Sequence, residues 1–146
     1  MRRWSLMLIL CVFALVACGD TPPTTGTNTA FADVCTKAND GKRIAVDGYL
    51  RFPESFTDDG SVILRLFQTD AFKGDQIGVQ TKFGTQPNQV ENVADHYTDA
   101  DLKVHQGDGQ VVAYGIKVHV SGMVYFPIVA QTFPCALENP LVATAP

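Results

Sequence analysis

The 146-residue sequence contains no G-x-S-x-G, no C-x-x-C and no D-x-[DN]-x-[DN]-G loop. Those absences remove a hydrolase nucleophile elbow, a closely spaced redox or metal pair, and an EF-hand calcium loop. Gly107-Asp108-Gly109 has neither the lysine nor the following helix of a phosphate-cradling loop. Glycoside hydrolysis needs two carboxylates facing across a cleft, and the adjacent Asp58-Asp59 reads more simply as turn chemistry. Long apolar runs are scarce too. Beyond residue 18 none approaches the ~20 residues of a membrane-spanning helix. With no catalytic constellation, the sequence points away from an enzyme, and what it does carry concerns address and architecture.

The address is at the N-terminus. Met1-Arg2-Arg3 is basic, residues 4–16 form a 13-residue, almost wholly apolar run, and Ala17, Cys18 and Gly19 are small. A charged start, a short apolar stretch and a small-residue exit make residues 1–17 an expected secretory signal. Leu15-Val16-Ala17-Cys18 resembles the bacterial lipobox. The resemblance implies cleavage before Cys18 and acylation of its thiol, with palmitate-like chains holding the mature protein to a membrane of the cell envelope on its extracytoplasmic face. Two or more such chains give stable anchoring. An ordinary cleaved signal followed by a chance cysteine is the alternative. Loss of residues 1–17 removes two arginines and no acid, taking the formal charge from −4 to −6. Such a domain has no long-range attraction for phosphate backbones, which disfavours nucleic acid as a partner.

Cys11 leaves with the signal and Cys18 is consumed by lipid, so Cys35 and Cys135 remain as one pair. In an oxidising compartment they are expected to form a structural disulfide across nearly the whole domain. A redox or metal-binding role for the pair is the alternative, without a C-x-x-C spacing or a nearby histidine to favour it.

Residues 18–29 read as a polar tether rich in Thr, Pro and Gly, and its 11 residues after Cys18 reach at most about 35–40 Å. Residues 30–146 fit one domain. One short helix is expected over 30–38, with Phe31, Val34 and Cys35 on one side. From residue 42 the apolar period becomes two. Ile44, Val46, Gly48, Leu50 and Phe52 alternate along the first strand, then Val62, Leu64 and Leu66, then Ile77, Val79, Thr81 and Phe83. These are half-buried antiparallel strands. Residues 84–100 break the rhythm and admit a helical turn near 90–97. Residues 102–106 and 110–126 form a hairpin whose long second arm turns Val112, Tyr114, Ile116, Val118 and Val120 to one face. Pro127 and Pro134 restrict 128–133 and 135–137 to edge or closing strands, and 141–146 reads as a tail.

Residues 41–50 and 115–124 echo each other: each opens on Gly and carries a second Gly seven residues later, Gly48 and Gly122, inside an alternating strand. This resembles the first and fourth strands of the OB-fold (tRNA-anti-like) superfamily, where glycine lets a bent strand turn the barrel corner. The resemblance spans residues 41–137. It implies an all-β, mainly antiparallel, five-stranded barrel, to which the sequence adds the short N-terminal helix and one disulfide; an open β-sandwich of the same strand count stays open.

OB folds commonly bind ligands across the outer surface of their first strands. Here that face would present Tyr49, Arg51, Arg65, Phe67, Gln80 and Lys82, unless Tyr49 and Phe67 pack beneath residues 84–100. Asp95, Asp99 and Asp101, beside His96, are weak candidates for a cation, and no metal or other cofactor is expected. His105 and His119 meet across strands or lie on the solvent face. The expected function is a membrane-anchored, non-enzymatic binding module that engages an envelope protein or glycan. A small-ligand or cation-binding lipoprotein is the alternative.

Overall fold

A computed structural model of the chain describes residues 24–56, 60–127 and 133–146. The expected signal, Cys18, the Asp58-Asp59 turn and residues 128–132 lie outside them. The period-two segments become β2 (Arg43–Arg51), β3 (Ser61–Phe67) and β4 (Gln76–Lys82), preceded by a short β1 (Thr27–Asn28). A small hairpin follows, β5 (Lys103–His105) and β6 (Val111–Ala113), then the long strands β7 (Lys117–Tyr125) and β8 (Ala136–Thr144). β2, β3, β4, β8 and β7 pair in that order and β7 pairs back to β2, closing a five-stranded barrel. Every contact in the ring is antiparallel except β4–β8. The order and the single parallel pairing are those of an OB-like barrel.

Alternation decides which side chains fill it. Ile44, Val46 and Leu50, then Val62, Leu64 and Leu66, then Ile77 and Val79 are buried, meeting Val118, Val120, Val124, Leu137 and Val142 from the other strands. Phe52 joins them, and Thr81 is buried as the inward set expected. The β5–β6 hairpin belongs to a separate two-stranded sheet, and it adds Leu102, Val104 and Val112 to the same core. Cys35 and Cys135 form the expected disulfide, with Cα atoms 5.4 Å apart and 100 residues between them in sequence.

Four expectations are corrected. Residues 30–38 contain no α-helix: the chain makes 3₁₀ turns at Phe31–Asp33 and Lys37–Asn39, because Thr36 between them is extended. A helix this short has little intrinsic stability. Phe31 and Val34 are nevertheless buried, as their spacing implied. No helical turn forms over 90–97; a single 3₁₀ turn follows at Asp99–Asp101. The single arm expected over 110–126 is broken between β6 and β7 by Gly115 at φ +80°, which leaves Ile116 47 % exposed. Finally, 141–146 is no tail. Leu141–Thr144 continues β8, paired with Val118–Ser121 of β7. Pro140 is tolerated because the β7–β8 ladder shifts register between Ser121 and Met123, skipping Asn139 and Pro140.

The tether also ends earlier than residue 29. β1 runs parallel to β2, taking the edge at Ile44 and Ala45 that β3 does not reach. Gly26 N–H donates to Ser121 Oγ at 2.7 Å, and Arg43 Nε donates to the Thr24 carbonyl at 2.6 Å. The chain is therefore part of the barrel from Thr24 onward.

Candidate binding surfaces

The outward positions of β2 and β3 meet as cross-strand pairs, Tyr49 with Phe67 and Arg51 with Arg65. Like charges facing across an antiparallel pair repel, and each arginine is given an acid. Arg51 Nε lies 2.6 Å from Asp99 Oδ2, and Arg65 Nη1 lies 3.4 Å from Glu54 Oε1. Arg65 Nε also donates to the Phe52 carbonyl at 3.1 Å. Asp99 accepts from the Phe52 N–H as well, at 3.3 Å, so the 98–102 turn is fastened to the end of β2. Between these groups a polar groove of about 550 Å³ opens, walled by Arg51, Arg65, Glu54, Tyr97 and Asp99. Tyr97 belongs to an aromatic stack with Phe52 and Phe56, which fixes that wall.

The two aromatics of the expected face are covered, though not by residues 84–100. Phe72, from the β3–β4 connection, lies edge-on to Tyr49 and Phe67 and stacks on Tyr114 with ring centroids 5.1 Å apart. Phe67 is 5 % exposed as a result. Arg51 also reaches over the Phe72 ring, 5.9 Å from its centroid. Phe72 holds φ +51°, a region a bulky residue rarely adopts without surrounding contacts to hold it there. Gln80 and Lys82 lie elsewhere, in a second groove of about 500 Å³ with Asn88 and Glu138. Gln80 Oε1 accepts from the Tyr125 phenol at 3.0 Å. The six expected residues thus divide: Arg51 and Arg65 share one groove, Gln80 and Lys82 another, and Tyr49 and Phe67 pack under Phe72.

The three aspartates do not converge. Asp99 is engaged by Arg51, and Asp101 accepts from the Thr98 N–H at 2.8 Å and from its hydroxyl at 2.9 Å. Those bonds hold the Asp101 carboxyl below its ordinary value. Asp95 and His96 are exposed. Among the described residues no three His, Cys, Asp or Glu side chains are gathered as metal ligands. The histidines are apart as well. His105 faces Glu91 at 3.3 Å, while His119 Nδ1 lies 2.7 Å from Asp47 Oδ1, with Lys117 Nζ 3.2 Å from Oδ2.

The hydrogen bond from His119 is the largest cause holding the Asp47 carboxyl below its usual value, opposed by desolvation and aided by Lys117. A carboxyl whose folded value is depressed stabilises the fold above its unfolded pKa of about 3.9 and loses that contribution as pH falls through the folded value. Asp47→Asn is expected to cost less than about 1 kcal/mol at pH 7, since the pair is partly exposed. The difference from the wild type should close in strong acid. Thermal melts of both proteins from pH 2 to 7 check this; a gap that stays constant with pH would assign it to packing instead.

Two further side chains, which the sequence did not single out, seal the barrel. β8 pairs with β7 at both ends, Ala136–Glu138 and Leu141–Thr144, but with β4 only at Ala136 and Leu137. The N–H groups of Val142 and Thr144 are taken by amide side chains instead, Asn88 Oδ1 at 2.9 Å and Gln106 Oε1 at 2.8 Å. Asn88 sits at φ +64°, which asparagine tolerates better than most residues. No protein-family model matches the chain, and no curated protein matches its sequence.

Proposed function

We propose that the protein is a lipoprotein of the bacterial cell envelope whose OB-like barrel is a non-enzymatic binding module, held to its membrane through Cys18. The observation that carries this reading is the Arg51–Arg65 row, opening on a polar groove with Tyr97 on its wall. Arginine and tyrosine are the residues that most often anchor protein contacts, and acids at the rim set charge complementarity rather than bulk attraction. A groove of mixed sign on an acidic domain suits an envelope protein or glycan better than a nucleic acid.

The membrane address supports the same reading. Thr24, where Arg43 first holds the chain, lies six positions after Cys18, so the barrel works within roughly 20 Å of its lipid. The test is a cross-linked pull-down of the intact protein from native envelopes, alongside Arg51→Ala, Arg65→Ala and Cys18→Ser variants. Partner recovery is expected to fall at least fivefold in the arginine variants while their melting temperatures stay within a few degrees of the parent. Mass mapping is expected to place an acylated N-terminus at Cys18. Undiminished recovery with both arginines gone would reject the groove, and an unmodified Cys18 would reject the anchor.

A further inference from the structure

A third groove crosses the outer face of β7 and β8, between Thr25 and the 106–109 turn. Its volume is about 270 Å³. At about 30 Å³ for a water-sized group, that is room for roughly nine heavy atoms. Its floor is set by register: His119 opposes Ala143 and Ser121 opposes Leu141, and all four line the groove. The surface is largely apolar.

Two of its polar side chains are amides. A backbone N–H can only donate, so the bonds from Val142 and Thr144 identify the oxygens of Asn88 and Gln106 and leave their NH₂ groups over. Both residues line the groove, and neither NH₂ has a hydrogen-bond partner among the described residues. Gln106 is only 5 % exposed and lines this groove. Ser121 Oγ already accepts from Gly26 N–H and keeps its own proton to give. No lysine or arginine lines the groove, and Asp108 does. Uncharged amide donors, with the Asp108 carboxylate in the lining and the His119 imidazole already facing Asp47 at 2.7 Å, select an uncharged acceptor over an anion.

We infer that the groove between Thr25 and the 106–109 turn binds a neutral acyl ester or amide, its carbonyl received by Gln106 and Asn88 and its first methylenes laid on Leu141 and Ala143. The inference needs neither Cys18 nor the Arg51–Arg65 groove. Two sources share this chemistry: the acyl chain on the protein's own N-terminus and a free monoacyl lipid.

The probe is 1-octanoyl glycerol, with 1-O-octyl glycerol, which lacks only the carbonyl, as its control. Binding is read by calorimetry and by the side-chain amide resonances of the exported full chain carrying Cys18→Ser. The ester is expected to bind saturably and at least tenfold more tightly than the ether, shifting the Gln106 and Asn88 amide signals. Gln106→Glu keeps the oxygen that Thr144 needs and removes the donor, and should weaken the ester at least tenfold. Ala143→Trp fills the groove from an exposed position and should abolish binding even where Gln106→Glu fails to fold. Equal affinity for ester and ether, or unchanged binding in Ala143→Trp, overturns the inference. With the groove so established, a lipidated chain that refuses the probe identifies its own acyl group as the occupant, and one that binds it equally identifies free lipid.

Discussion

Replacing both bridge cysteines, Cys35→Ala with Cys135→Ala, is expected to lower the stability of the barrel by about 2–5 kcal/mol. The bridge spans 100 residues, for which the chain-entropy account gives up to about 4.7 kcal/mol. Its position adds to that. Cys35 ends the segment that places Phe31 and Val34 in the core, and Cys135 leads directly into β8. The Cys135 carbonyl accepts from Gly78 N–H at 3.0 Å, beside the short parallel β4–β8 pairing. β8 is the strand that closes the ring, so the bridge holds the last strand against the first turns of the domain. At about 4–8 °C per kcal/mol for a domain near 100 residues, the melting midpoint should fall by about 8–40 °C. Calorimetry of the oxidised protein, of the reduced protein and of the double variant measures it. A fall below about 4 °C would show that the five-strand ring is stable without its staple.

The outward row of the barrel shows where sequence reading succeeded and where it stopped. Alternation placed Tyr49, Arg51, Arg65 and Phe67 on one face, and pairing in register brings them together in two cross-strand pairs. That follows from the strict period of two, which leaves a strand with one buried face little freedom of register. What covers the face had no such signal. Phe72 reaches Tyr49, Phe67 and Tyr114 only because it adopts φ +51°, and nothing in Thr69-Asp70-Ala71-Phe72 asks a phenylalanine for that conformation. The strand over Leu141–Thr144 is hidden for a related reason. Pro140 argues against a strand, yet the register shift opposite Gly122 removes the need for its missing N–H. Likewise Asn88 and Gln106 are unremarkable polar letters until β8 is seen to lack a neighbour for the N–H groups of Val142 and Thr144.

Gly48 and Gly122 were legible as an echo, and the barrel gives that echo a physical test. β2 and β7 pair antiparallel, with Gly48 opposite Val118 and Gly122 opposite Ile44, so the two glycines lie near opposite ends of one ladder. A Cβ on Gly48 would stand 2.5 Å from the Phe67 carbonyl oxygen and 2.9 Å from the Leu66 side chain. On Gly122 it would stand 2.8 Å from Leu137 Cβ and 3.0 Å from the Glu138 carbonyl oxygen. At each position at least one obstacle is backbone or a Cβ rather than the far end of a flexible side chain, so the strands themselves must part. Gly48→Ala and Gly122→Ala are each expected to cost about 2–3 kcal/mol, the upper range for forcing a methyl group into a packed interior. Gly107→Ala is the control: nothing lies within 4 Å of its Cβ, and stability there should hold or rise slightly. Urea unfolding of the three variants, compared at equal slope, separates the cases. Losses confined to Gly48 and Gly122 would show that the two positions are needed for close strand approach. Three equal small gains would show instead that glycine matters at these positions only through the entropy of the unfolded chain.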